Sequence, residues 1–215
     1  MNKSFSIFIT IIIIFVFAAM AYWFLSTQIN LSEVNNPITN LVNNAAPSAV
    51  SGNNLNQNQP SGENVLATDD FSLTYPAGWR SAPAITGVSA MIVKENENIA
   101  DPEAKKMNFQ TYLAVAYDSS EGQTKDEVVE YLKNELRAVI PEIVFSRENF
   151  LTVNGREVYA TEITFRKSGL DFHVLEVLVW GKENDLWVLS YNTLEELWQG
   201  YVSDFEKITQ SFIVK

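Results

Sequence analysis

The chain has no cysteine. Disulfides, thiol nucleophiles, thiolate metal centres and lipid attachment through a cysteine are thereby excluded, and a folded part must be held by its core alone. Histidine is scarce too: His173 is the only one, which removes most familiar acid–base arrangements. No Lys or Arg lies between Lys3 and Arg80. Nor does the sequence contain a glycine-rich phosphate loop, a nucleophile elbow or a zinc-ligand spacing.

The charge that is present leans acidic, with 26 Asp and Glu against 15 Lys and Arg and a net charge of −11. From Phe71 onward the balance is 14 basic against 22 acidic. Such a surface favours solubility and argues against nucleic acid or anionic lipid head groups as partners.

Phe5 to Leu25 holds 21 residues without a charge. At about 1.5 Å per residue a helix of that length spans roughly 31 Å, matching a hydrocarbon core of about 30 Å. The stretch reads as a single transmembrane helix, with residues 1–4 cytoplasmic because Lys3 precedes it and no basic residue follows for a long way. Ala19-Met20-Ala21 also fits a signal-peptide cleavage pattern, so cleavage after Ala21 stays open. Retention is favoured by the apolar run through Tyr22, Trp23, Phe24 and Leu25, which suits an interfacial aromatic belt. On either reading the rest of the chain is extracytoplasmic.

Residues 26–70 contain eleven asparagines, Pro37, Pro47, Pro60, Gly52 and Gly62, and no aromatic residue. With so little apolar surface to offset ordering entropy, they read as a disordered linker with an end-to-end distance of roughly 35–40 Å.

Residues 71–215 read as one globular domain. Phe71 to Pro76 alternates as a strand, Gly78 turns the chain, and Trp79 is expected to plug one end of the core. Val88 to Lys94 and Met107 to Tyr117 read as further strands, with Glu95 to Lys106 a polar loop between them. Thr124 to Glu127 forms a capping box opening a helix that carries Val128, Leu132 and Leu136 and ends at Pro141. Asn149 to Val153, Asn154-Gly155 and Glu157 to Arg166 read as a hairpin, and Ser168-Gly169 turns again. Phe172 to Trp180 is apolar on both parities, as in a central strand covered on both faces. After a turn at Lys182 to Asp185 comes the strand Leu186 to Tyr191. A second capping box at Thr193 to Glu196 is then expected to open a helix carrying Trp198, Tyr201, Phe205, Ile208 and Phe212. Hairpins and two amphipathic helices predict an α+β fold, an antiparallel sheet with helices on both faces.

With these residues placed, the domain resembles the PsbP/Mog1-like family. Phe71 to Trp79 looks like that family's first strand and turn. Leu186 to Tyr191, Trp198, Phe205 and Ser211-Phe212 look like its last strand and C-terminal helix. The resemblance covers about Phe71 to Val214 and implies an α/β/α sandwich and a non-enzymatic, accessory or binding role.

The candidates for chemistry are few. His173 could ligate a metal or act as a general base, aided by Asp171 on the same strand face or by Glu176 on the other. Glu162 and Glu176 could form a carboxylate pair across the sheet. Arg147, Arg156, Arg166 and Lys167 could gather into a basic spot. Trp79, Trp180, Trp187, Trp198 and Tyr201 could line a ligand cleft, or belong to the core. Each has a plain structural reading, and no catalytic, cofactor-binding or metal-binding residue is assigned.

The expectation is a membrane-tethered, extracytoplasmic, non-catalytic interaction or assembly module for an envelope protein. The alternative is a sensor or carrier domain for a small ligand or ion. A cofactor is not expected.

Overall fold

The computed structural model describes residues 63–215. The apolar segment Phe5 to Leu25 and the linker up to residue 62 lie outside the described residues, and within them no helix is long and apolar enough to cross a membrane. The described chain runs β1 (Glu63–Ala67), β2 (Phe71–Pro76), β3 (Trp79–Ala82), β4 (Ala90–Lys94), α1 (Pro102–Lys106), β5 (Tyr112–Ser119) and α2 (Lys125–Val139). It continues through β6 (Val144–Val153), β7 (Arg156–Lys167), β8 (Leu170–Trp180), β9 (Asp185–Leu194), a 3-10 turn at Glu195–Leu197, α3 (Trp198–Ser211) and β10 (Ile213–Val214).

Seven strands form one antiparallel sheet in the order β3-β4-β5-β9-β8-β7-β6, and β1-β2-β10 form a second, smaller one. The turns of the large sheet are set by local chemistry. Asn154-Gly155 (φ 49° and 74°) and Ser168-Gly169 (φ 53° and 85°) place two consecutive residues in the left-handed region. That is what a two-residue hairpin of matching twist requires, and glycine takes the second position without a steric penalty. Lys167 therefore pairs with Leu170, which fixes the register of the longest hairpin.

The sheet is covered twice. On one face Val128, Val129, Leu132 and Leu136 of α2 join Tyr159, Ile163, Val174, Leu178 and Val188. On the other, Trp198, Phe205 and Ile208 of α3 and Phe71, Leu73 and Tyr75 of β2 join Val177, Leu189 and Tyr191. The two ends of the described chain meet, because β10 pairs with β2 and the Ser211 hydroxyl both accepts from Thr74 N–H (2.8 Å) and donates to Thr74 C=O (3.0 Å).

Several expectations are corrected. The small sheet begins at Glu63, so residues 63–67 of the expected linker form a strand. Trp79 does more than plug the core: it opens β3, which pairs with β4. The expected polar loop contains α1, whose first turn is capped by the Asp101 carboxylate, and Met107 ends that helix instead of starting a strand. Val144 to Glu148, ahead of the expected hairpin strand at Asn149, form the first half of β6. The capping box at Thr124 forms as expected, but the one at Thr193 does not. Thr193 is the penultimate residue of β9, fully buried, and its hydroxyl meets that of Thr111 at 2.8 Å, so core pairing wins over capping.

Phe205 is fully buried, with ring centroids at 4.8 Å from Tyr191, 5.7 Å from Trp198 and 6.0 Å from Trp79. In residues 63–215 produced alone, Phe205→Ala should lower stability by about 3–5 kcal/mol in a cooperative urea unfolding transition. A loss below about 1 kcal/mol would show that α3 does not depend on this ring.

Candidate functional site

The most polar buried cluster is built around His173 in β8. Thr164 of β7 lies directly opposite it, so Glu162, two residues away on the same strand, shares its face diagonally. Glu162 Oε2 is 3.1 Å from His173 Nε2. At the end of β9 the 3-10 turn brings Glu195 back over the sheet, and its Oε2 lies 2.8 Å from His173 Nδ1. Three residues on, the Trp198 ring at the start of α3 lies flat on the imidazole, with centroids 3.7 Å apart and planes 2° from parallel. The line ends at Arg147, whose Nη1 donates to Glu162 Oε1 at 3.0 Å. Arg147 reaches it because β6 bulges between Ser146 and Asn149 with Arg147 at φ 48°; a bulge re-aims a side chain that a regular pleat would send elsewhere.

The hydrogen-bond inventory limits what this cluster can do. Both imidazole nitrogens already face a carboxylate oxygen at hydrogen-bond distance, so neither is turned towards an open position where a substrate or metal could sit. The two carboxylates also sit at opposite ends of the imidazole, and among the described residues no three His, Asp or Glu side chains converge as a metal site. The His173 side chain is 8% exposed and Glu162 11%, whereas Glu195 at 53% and Arg147 at 69% reach solvent. The arrangement is a charged rivet tying the start of α3 and the β6 bulge to the sheet.

Glu176 is on the other side of the sheet. Facing Thr161 on β7 and Ser190 on β9, it points under α2 and lies beside Leu132, Leu136, Ile140 and Ile143. Glu162 and Glu176 thus occupy opposite faces, and the expected carboxylate pair does not form. Burial pushes the Glu176 carboxyl up to about 7, against a hydrogen bond with Ser190 that lowers it. Burial, and secondarily the Glu176 charge, raises the Tyr112 phenol in turn.

The remaining candidates separate. Asp171 lies opposite Arg166 and pairs with it, away from His173. Arg156 donates to the Gly181 carbonyl at the far end of β7 from Arg166, so the basic side chains are spread out and do not form a spot. Trp79, Trp187 and Trp198 are core. Among the described residues, Trp180 lines an open cleft of about 530 Å³ together with Gln123, Thr124, Lys125 and Phe150. Sequence reasoning missed Glu195, which fell inside the expected Thr193 to Glu196 capping box, and it placed Arg147 in a basic spot instead of beside Glu162.

No family model matches the chain, and no curated protein does. Solved structures do match. Cyanobacterial PsbP (CyanoP) from Synechocystis is 14% identical, with 74% of this chain and 96% of that one covered and a TM-score of 0.53. LpqN, described as involved in cell envelope biogenesis of Mycobacterium tuberculosis, is 17% identical over 74% and 87% of the two chains, with a TM-score of 0.53. The Ran-binding protein Mog1p of Saccharomyces cerevisiae is 10% identical over 71% and 95%, with a TM-score of 0.51. The described domain has the PsbP/Mog1-like fold, dominated by antiparallel sheet with few helices.

Two outcomes test this account. A carboxyl at about 7 in the folded chain and at its ordinary 4.5 when unfolded binds more protons folded. Its contribution is fully present below pH 4.5 and is lost as pH rises through 7, a change of about 3 kcal/mol. Glu176→Gln should therefore flatten that part of the stability–pH curve and raise stability at pH 8. An unchanged slope in urea titrations between pH 4.5 and 8 would place the titration elsewhere. His173→Ala leaves Glu162 Oε2 without its partner and removes the platform under Trp198, and should lower stability by about 2–4 kcal/mol. Binding of zinc or nickel measured by calorimetry should be the same with and without the ring.

Proposed function

We propose that this chain is a membrane-tethered extracytoplasmic module that binds a protein of the cell envelope and performs no catalysis. The observation that carries the reading is where apolar side chains remain uncovered. Of the seven large hydrophobic residues exposed among the described ones, Val144, Phe150 and Leu151 lie on the edge strand β6. An exposed strand edge with apolar side chains is suited to protein contact by strand addition. At the His173 cluster both ring nitrogens and both Glu162 oxygens are engaged within the chain.

The tether is read from Phe5 to Leu25, and residues 26–62 give it reach, which raises the local concentration of the domain near other membrane-bound molecules. Among proteins of this fold, Mog1p is named for Ran binding and LpqN for envelope biogenesis, and both descriptions accord with an interaction role. One feature favours a second reading, a small-ligand domain. Two residues that line the cleft at Trp180 carry buried polar atoms, Gln123 Oε1 and Trp180 Nε1, with no hydrogen-bond partner among the described residues.

The test places a photo-crosslinking residue at Phe150, or at exposed Lys105 on α1 as a control, in the full chain in its native membrane. A discrete protein adduct from position 150 and none from 105 is the expected result. External protease should digest the domain once outer layers are permeable. The reading fails if position 150 yields no adduct while Trp180→Ala abolishes binding of a small molecule to the purified chain.

A further inference from the structure

β6 repeats itself in reverse. Read outwards from its middle, Val144-Phe145-Ser146-Arg147 is answered by Leu151-Phe150-Asn149-Glu148: aliphatic with aliphatic, aromatic with aromatic, small polar with polar, base with acid. Sequence alone would not make this symmetry useful. Phe145 and Phe150 are five residues apart, and in a regular strand an odd spacing sends two side chains to opposite faces. The bulge between Ser146 and Asn149 changes the parity. Phe145 lies opposite Ile163 and Phe150 opposite Tyr159, two β7 residues on the face that α2 covers. Val144 lies opposite Thr164 and Leu151 opposite Val158, both on the other face. The bulge therefore makes the reversed repeat symmetric in space as well as in sequence.

We propose that β6 is a self-pairing edge, joining two copies of this chain antiparallel about a two-fold axis at the bulge. Val144 then lies opposite Leu151 of the second copy, and Phe145 opposite its Phe150, with matched residues on the same face. Both strands carry the same three-residue step from Ser146 to Asn149, so the two short ladders on either side of the axis stay in register. This deepens the proposed function by naming the partner, and it rests on β6 being the docking edge.

Three further observations favour a second copy over a foreign strand. A reversed, complementary pattern is what an isologous contact needs, because each residue pairs with its counterpart across the axis. A foreign strand needs no such pattern. The charges that usually guard a strand edge are tied back within the chain: Arg147 to Glu162, and Glu148 to Lys133 (2.9 Å) and Tyr159 (2.7 Å). The opposite edge of the sheet, β3, has only four residues and is followed by Pro83, which discourages head-to-tail stacking of sheets and leaves closure into a dimer.

The cysteine-free sequence allows a direct test on the full chain in detergent. Val144→Cys and Leu151→Cys in one chain are seven residues, roughly 20 Å, apart along the strand, too far to join each other. Across the proposed axis they are opposite. Mild oxidation should convert the double variant, and a mixture of the two single variants, largely to covalent dimer, and each single variant alone to less than a tenth as much. No dimer from the double variant, or equal dimer from a single one, overturns the proposal. Leu151→Lys should weaken self-association at least tenfold in sedimentation while leaving the unfolding midpoint unchanged at concentrations where the chain is monomeric, since the side chain is exposed. Association unaffected by Leu151→Lys would also overturn it. If position 150 crosslinks a different protein and the cysteine pair stays unlinked, the self-pairing falls and the interaction role stands. If position 150 crosslinks nothing, both fall.

Discussion

Burial of β8 and β9 on both faces is the constraint on which the rest of the structure depends. Val177, Val179, Leu189 and Tyr191 look one way, and Val174, Leu178, Val188 and Leu194 the other, all of them buried. At about 25 cal/mol for each Å² of apolar surface, leaving either face wet would forgo most of the driving force for folding. The chain therefore has to cover the sheet twice without a disulfide to help. It does so with α2 on one side, and with α3 and the small β1-β2-β10 sheet on the other. Pairing of β10 with β2 closes that second cover, because it ties the segment after α3 to the strand that enters the core first.

Each cover meets a buried carboxylate, and the two are treated differently. Glu162, beneath α3, is compensated by His173 and Arg147, and the same imidazole carries the Trp198 ring at the start of the helix. Breaking one member of such a network leaves a buried charge uncompensated, which is why it works as a rivet rather than a reservoir of chemistry. Glu176, beneath α2, has no cation beside it among the described residues, and its surroundings include Leu132, Leu136, Ile140 and Ile143. Burial therefore favours its neutral form up to about pH 7. Two glutamates on adjacent strands thus meet unlike surroundings because strand alternation sends them to opposite faces.

Much of this was legible in the residues. The strands from Glu157 to Tyr191, the helix capped by Thr124 and the turns at Asn154-Gly155 and Ser168-Gly169 all follow from periodicity and turn chemistry. Even the fate of the two glutamates was within reach. A two-residue turn at Ser168-Gly169 pairs Lys167 with Leu170, and counting back puts Glu162 on the face of His173 and Glu176 on the other. What stayed hidden depends on distant contacts. Thr193 looks like a helix cap until Thr111, 82 residues away, claims its hydroxyl. The first half of β6 shows no alternation because both faces of an edge strand remain partly wet, and its pattern is broken by a bulge. The role of Glu195 arises only because β9 ends where its 3-10 turn can fold back over β8.

Covering both faces of a sheet does not deal with its edges, and here the two edges are handled unequally. β3 is kept to four residues and ends before a proline, so it offers little backbone to another strand. β6 runs for ten residues, exposes Val144, Phe150 and Leu151, and pairs its two central charges within the chain, Arg147 with Glu162 and Glu148 with Lys133 and Tyr159. A bulge commonly protects an edge by twisting it away from intruders. In β6 it does something else: it aligns Phe145 with Phe150 on one face and Val144 with Leu151 on the other. Arg147 links the two roles, since the bulge that completes this symmetry is also what lets its guanidinium reach Glu162 and the buried histidine cluster. The outer edge of the sheet and the seat of α3 are consequently joined through one residue of the bulge.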